Sequence, residues 1–125
     1  MVFDAIEKAW GGELFVPKIP SYKIVDVATA IGPDCRQDEI GIRPGEKLHE
    51  EMITVSDAIN TYDIGKYYVI LPQVPVFDKE EFVAHFNAQK VNSDFSYNSG
   101  DNDVWETIDS LRGLVKEFVD PNFEE

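Results

Sequence analysis

At 125 residues the chain has the length of a single domain, 1–125, and too little for two. With 11 Lys and Arg against 24 Asp and Glu the formal net charge is −13, which argues against a nucleic-acid-binding module and disfavours an anionic membrane surface, because both reward basic patches. The hydrophobic share of 43% is that of an ordinary globular domain and argues against disorder throughout.

In chain order, Val2, Phe3, Ile6, Ala9 and Trp10 recur at spacings of three and four. They predict an amphipathic helix ended by Gly11-Gly12. A helix that starts at the first residue with no cap before it reads as cut from something longer. Glu13 to Val16 is a short strand stopped by Pro17 and Pro20. Ser21 is the expected N-cap of a second helix with the apolar stripe Ile24, Val27, Ala28 and Ile31, closed by Gly32-Pro33. Glu39 to Ile42 is a further strand candidate, and Glu46 to Ile53 has a helical pattern with Leu48 and Met52 on one face. Thr54 to Gly65 reads as polar loop. Lys66 to Leu71 is the clearest strand, aromatic and β-branched between Gly65 and Pro72. Within it one of Tyr67 and Tyr68 should pack inward and the other stay partly exposed.

Asp78 with Glu81 resembles a capping box and opens a helix carrying Phe82, Val83 and Phe86. Asn92 to Asp103 is loop. A last helix from Val104 turns Trp105, Ile108, Leu111, Val115 and Phe118 inward, and residues 120–125 form a frayed tail. Short strands alternating with helices predict an α/β class with the character of a small α+β lobe. The strands are too few for a doubly wound nucleotide-binding sheet, and neither G-x-G-x-x-G nor a P-loop occurs.

Cys35 is alone, so neither an intrachain disulfide nor a Cys-based zinc cluster can form, and a reducing compartment is expected. No apolar run approaches the roughly 20 residues of a membrane span, and the start lacks the basic region of a signal peptide. These features predict a cytoplasmic, soluble protein.

The chemistry-bearing stretch is Arg43-Pro44-Gly45-Glu46. Pro-Gly forces a tight turn, so Arg43 and Glu46 can point to one side. There a guanidinium can grip a pyrophosphate bidentately while a carboxylate accepts bonds from both hydroxyls of a ribose. The same two residues would equally make a surface ion pair contributing at most about 1 kcal/mol. His49 invites a metal reading, but His85 lies far along the chain without a ligand pattern, so no metal site is expected and His49 is read as a supporting or interface residue. Lys47 neighbours the pair, and Lys18 in the VPKIPS loop could approach a phosphate or serve only as a solubilising charge. Cys35 sits in an acidic, turn-like surrounding with Asp34 and Asp38 and is not read as a nucleophile, and the serines lack a nucleophile elbow.

GIRPGEKLHEEMIT (Gly41 to Thr54) resembles the C-terminal part of the inverting UDP-N-acetylglucosamine 4,6-dehydratases, extended short-chain dehydrogenase/reductase enzymes of pseudaminic acid synthesis. GGELFVPKIPSYKIVDVATAI (Gly11 to Ile31), KYYVILP and DFSYNSGDNDVW (Asp94 to Trp105) extend the resemblance over nearly the whole chain. Tyr97-Asn98-Ser99 stands where the family tends to have Tyr-Ser-Ser.

The resemblance implies a UDP-sugar-binding lobe in which Arg43 and Glu46 contact the UDP, with Lys18, Lys47 and His49 as secondary candidates. The family reaction uses NADP and yields UDP-2-acetamido-2,6-dideoxy-β-L-arabino-hex-4-ulose, for polysaccharide or flagellin-glycan synthesis. Its Rossmann lobe, Tyr-x-x-x-Lys pair and cofactor site should precede this chain, residues 1–10 being that lobe's last helix. The 125 residues alone are therefore expected to be inactive and to bind UDP-sugar weakly. Two alternatives stand: a non-catalytic domain that self-associates through Phe3, Ile6 and Trp10, and the lobe of a related nucleotide-sugar epimerase, since Arg43 and Glu46 read the nucleotide and not the sugar.

Overall fold

The computed structural model describes residues 2–123. Its elements are α1 (Val2–Lys8), β1 (Leu14–Pro17), α2 (Ile24–Ile31), β2 (Glu51–Ile53), α3 (Val55–Ala58), β3 (Thr61–Asp63), β4 (Tyr67–Ile70), α4 (Lys79–Phe86), β5 (Gln89–Lys90), β6 (Tyr97–Asn98) and α5 (Ile108–Phe118). The mixture of helices and short antiparallel strands is the small-lobe class expected. The chain divides into two compact units, one of residues 1–19 and 51–98, the other of residues 20–50 and 99–125.

The first unit is built on an antiparallel sheet of order β1-β4-β3-β5. β4 lies inside it, pairing Tyr67 to Ile70 with Pro17 to Leu14 on one side and Tyr68 to Ile70 with Asp63 to Thr61 on the other. Its side chains alternate between two cores, as the two-residue period of a strand dictates. Tyr67, Val69 and Leu71 join Phe82 and Ala88, with Trp10, Phe15 and Phe77 packed around them. Tyr68 and Ile70 pack on Val16, Ile53 and Tyr97. Tyr67 is thus the buried tyrosine of the pair and Tyr68 the half-buried one. A second ladder, β2 with β6, pairs Glu51 with Asn98 and Ile53 with Tyr97.

The second unit packs α2 on α5. Ala30 is its most buried helical residue, and Arg112 of α5 donates from Nε to the Ala30 carbonyl at 3.4 Å. A parallel bridge joins Ser21 to Trp105: the Ser21 N–H donates to the Val104 carbonyl and the Glu106 N–H to the Ser21 carbonyl, both at 2.8 Å.

Several expectations are corrected. Ser21 is buried in that bridge; the cap position of α2 is Lys23, which has no side-chain cap bond. Of the expected α2 stripe, Ile24 and Ile31 face solvent, and the helix is buried about Ala30 instead. Glu39 to Ile42 forms no strand, because every residue there is exposed and none pairs. Glu46 to Ile53 is not a helix: Leu48 and Met52 find no core, whereas Glu51 and Ile53 find hydrogen-bonding partners in β6. Pairing overrode local propensity.

The polar stretch from Thr54 holds α3 and β3, with Thr61 fully buried. The loop after Asn92 holds β6. α5 starts at Ile108, where Thr107 and Ser110 form a reciprocal capping box. Leu111 faces inward as expected, but Phe118 is 72% exposed. Phe3 and Ile6 are exposed on α1, whereas Trp10 lies edge-on to Phe77 and Phe82 in the core and is no part of an outer face. Of the expected frayed tail, residues 124 and 125 lie outside the described residues, and the Phe123 N–H closes a turn onto the Asp120 carbonyl at 3.0 Å.

Candidate functional site

Arg43 to Glu46 form a β-turn closed by the Glu46 N–H donating to the Arg43 carbonyl at 3.0 Å. Pro44 presets the second position, and Gly45 at φ +89° supplies the positive φ that a type II turn demands in the third. A Cβ at Gly45 would meet nothing within 4 Å, so glycine is required there by backbone conformation alone. The turn sets the two candidate side chains together. The Arg43 N–H donates to Glu46 Oε2 at 2.9 Å, and guanidinium Nη1 lies 3.9 Å from Oε1.

Both heads are open to solvent, with side-chain exposures of 70% for Arg43 and 49% for Glu46. A loose exposed pair of this kind has little binding energy of its own to lose. The guanidinium fork can therefore leave the carboxylate for a diphosphate, which offers it parallel charge-assisted bonds. The half-exposed Glu46 carboxylate is free to accept hydrogen bonds from hydroxyl groups.

Lys47 is exposed on the same loop, and His49 lies against Gly100. Lys18 belongs to the first unit. Its ammonium donates to both Asp63 oxygens at 2.7 Å and sits 4.6 Å from the centre of the Tyr68 ring. Among the described residues no group of three or more His, Cys, Asp or Glu is placed to hold a metal. The donor set offers no glycine-rich strand-to-helix turn of the kind that cradles a dinucleotide pyrophosphate.

Sequence reasoning passed over two features. Ser99 and Gly100 meet Glu50 and His49, and the signal was the Ser-Gly pair after Tyr97-Asn98. An open groove of about 840 Å³ runs along α2 and α5, lined among others by Lys23, Asp26, Trp105, Asp109 and Arg112. The indole N–H of Trp105 donates to the Asn102 carbonyl at 2.6 Å, which fixes the ring at its edge.

A family model described as "Polysaccharide biosynthesis protein" matches residues 1–72. Two similar proteins are named UDP-N-acetylglucosamine 4,6-dehydratase (inverting). Both are from Campylobacter jejuni, the first from serotype O:2 and the second from serotype O:23/36. They are 42% and 41% identical over 119 residues, 91% of this chain and 35% of each relative. The chain thus spans about a third of the length of the curated relatives it matches. The solved structure of Pen from Bacillus thuringiensis shares the fold, with a TM-score of 0.71 at 23% identity over 92% of this chain and 34% of that one. The family match covers more than half of the residues, and the dehydratase likeness runs through the Arg43–Glu46 turn to the C-terminal helix; the chain belongs to the polysaccharide biosynthesis protein family.

Proposed function

We propose that this chain is a UDP-sugar-binding portion of an inverting UDP-N-acetylglucosamine 4,6-dehydratase, with Arg43 on the diphosphate and Glu46 on the ribose hydroxyls. The observation that carries the reading is the exposed turn that sets a guanidinium and a carboxylate side by side, in a chain 42% identical to an enzyme of that name. Lys47 and His49, on the same loop, are secondary contacts; Lys18, held by Asp63, is a weaker candidate.

The redox steps of such a reaction need NADP, which the remainder of a dehydratase binds. This chain contributes binding and orientation and is inactive by itself. A dinucleotide cofactor does not fit the residues present, so no step is assigned to them beyond holding the nucleotide. The sequence shows no long apolar run, and no described helix is long and apolar enough to cross a membrane.

Titration of the isotope-labelled chain with UDP, UMP and uridine tests the reading. UDP should shift the amides of residues 43–46 with weak affinity, UMP less and uridine least. Arg43→Ala should weaken UDP about tenfold or more, the size of a lost charge-assisted bond, and erase the preference for the second phosphate. Equal responses to UDP and uridine, or an Arg43→Ala variant that binds like wild type, would remove Arg43 from the diphosphate.

A second reading is favoured by one observation: Phe3 is 83% and Ile6 67% exposed on α1, an apolar pair that a second copy of the chain could cover. Sedimentation of wild type and Phe3→Glu separates the readings. A wild-type dimer that the substitution dissociates supports self-association, and a monomer in both rejects it.

A further inference from the structure

The turn that carries Arg43 and Glu46 lies in a stretch with little to hold it. Every residue from Pro33 to Glu50 is exposed, and no helix or strand forms there. Its large apolar side chains do not pin it either: Ile40 is 77%, Ile42 60% and Leu48 81% exposed. A binding pair on such a segment would wander, and each ligand would have to order it at a cost in affinity.

At its downstream end the segment is tied. The Glu50 N–H donates to Ser99 Oγ at 3.0 Å, and the Ser99 N–H returns a bond to the Glu50 carbonyl at 2.8 Å. One residue earlier, the His49 ring lies directly over Gly100. A Cβ built at Gly100 would stand 2.9 Å from His49 Cγ and Nδ1, closer than real contacts allow. Gly100 is not in the positive-φ region, so backbone conformation does not demand glycine there. Close approach of the imidazole favours it, since any Cβ there would make the ring shift. Two consecutive residues of one loop thus grip two consecutive residues of the other, three and four positions beyond Glu46.

We propose that Ser99 and Gly100 are positioning residues that, through Glu50 and His49, hold the Arg43–Glu46 turn in its nucleotide-gripping conformation. The proposal rests on the reading that this turn binds UDP. His49 then serves the turn through its packing on Gly100. Because the hydroxyl of Ser99 makes the bond, Ser99→Thr should keep the clamp and Ser99→Ala should lose it. In Gly100→Ala the methyl group displaces the ring.

The test uses nitrogen-15 relaxation of the 125-residue chain together with UDP titration. In Ser99→Ala and Gly100→Ala the Arg43 and Glu46 amides should gain disorder, and the dissociation constant for UDP should rise about three- to tenfold. Ser99→Thr should match wild type in both measurements. If Gly100→Ala fails to fold, Ser99→Ala against Ser99→Thr still decides the matter. Wild-type order at residues 43–46 in the alanine variants would overturn the clamp. If wild type shows no response to UDP, the UDP reading falls, while the relaxation comparison still decides whether Ser99 and Gly100 hold the turn.

Discussion

Asp4 has the most perturbed carboxyl among the described residues. A hydrogen bond from Lys8 and a second from Tyr67 hold its pKa at about 2 instead of 3.8. The partners respond in kind: the Asp4 carboxylate raises the pKa of the Lys8 ammonium and of the Tyr67 hydroxyl. A carboxyl whose pKa is depressed on folding stabilises the native state above its unfolded value, and that contribution is lost as the pH falls through the folded value. Asp4 therefore supports the fold at pH 4 and above, and its support drains away toward pH 2. Asp57, lowered by hydrogen bonds from the Thr54 side chain and backbone, adds to the same slope. In Asp4→Asn the fall in urea midpoint between pH 4 and pH 2 should be shallower than in wild type; parallel slopes would show that the carboxyl is not held low. By contrast the exposed Arg43–Glu46 pair contributes little to stability, so Arg43→Ala should leave the melting temperature unchanged while weakening UDP.

At the scale of elements, short helices depend on their ends. α3 has four residues, too few to persist by propensity, and begins with a reciprocal box. Thr54 Oγ1 accepts from the Asp57 N–H at 3.3 Å, and Asp57 Oδ2 accepts from the Thr54 N–H at 3.0 Å. The box follows directly on the fully buried Ile53, so its loss is felt by the core. Thr54→Ala should cost about 1 kcal/mol by urea unfolding and return the Asp57 pKa toward the ordinary carboxylate range. Asp78 does the same work for α4, accepting from the Glu80 and Glu81 N–H groups at 2.8 and 2.9 Å. That helix ends at Asn87, a residue type that tolerates its left-handed φ of 47°. Both caps stand in the sequence as an acceptor followed three residues later by an acid, and the polar composition of the stretch that Thr54 begins masks the first of them.

For the whole molecule, the first unit depends on the aromatic core around Phe82. This fully buried ring is 5.3 Å from both Trp10 and Phe77 and 4.6 Å from Phe86, centroid to centroid. Phe82→Ala should cost about 3–5 kcal/mol in lost burial and residual cavity, against a total stability on the order of 5–15 kcal/mol for a small domain. Circular dichroism with urea should then show a sheet unit that unfolds at low denaturant, and a loss under 1 kcal/mol would mean that the ring is not the centre of that core.

The elements that announced themselves were those whose information is local. The Lys66 to Leu71 run, the Asp78 cap, the Phe82 face and the Pro-Gly turn with its Arg and Glu are each specified by residues a few positions apart. Periodicity, capping and turn chemistry act over that range, so class and candidate site were legible. Partner choice was not. Glu51 to Ile53 has a helical pattern and became a strand because Tyr97 and Asn98, more than forty positions on, offer hydrogen-bonding edges. Ser21 went to Trp105 for the same reason, and the grip of Ser99 on Glu50 joins residues 49 positions apart. Backbone groups that leave water must be paired, and in strands the partner is supplied by the folded chain and not by sequence neighbours.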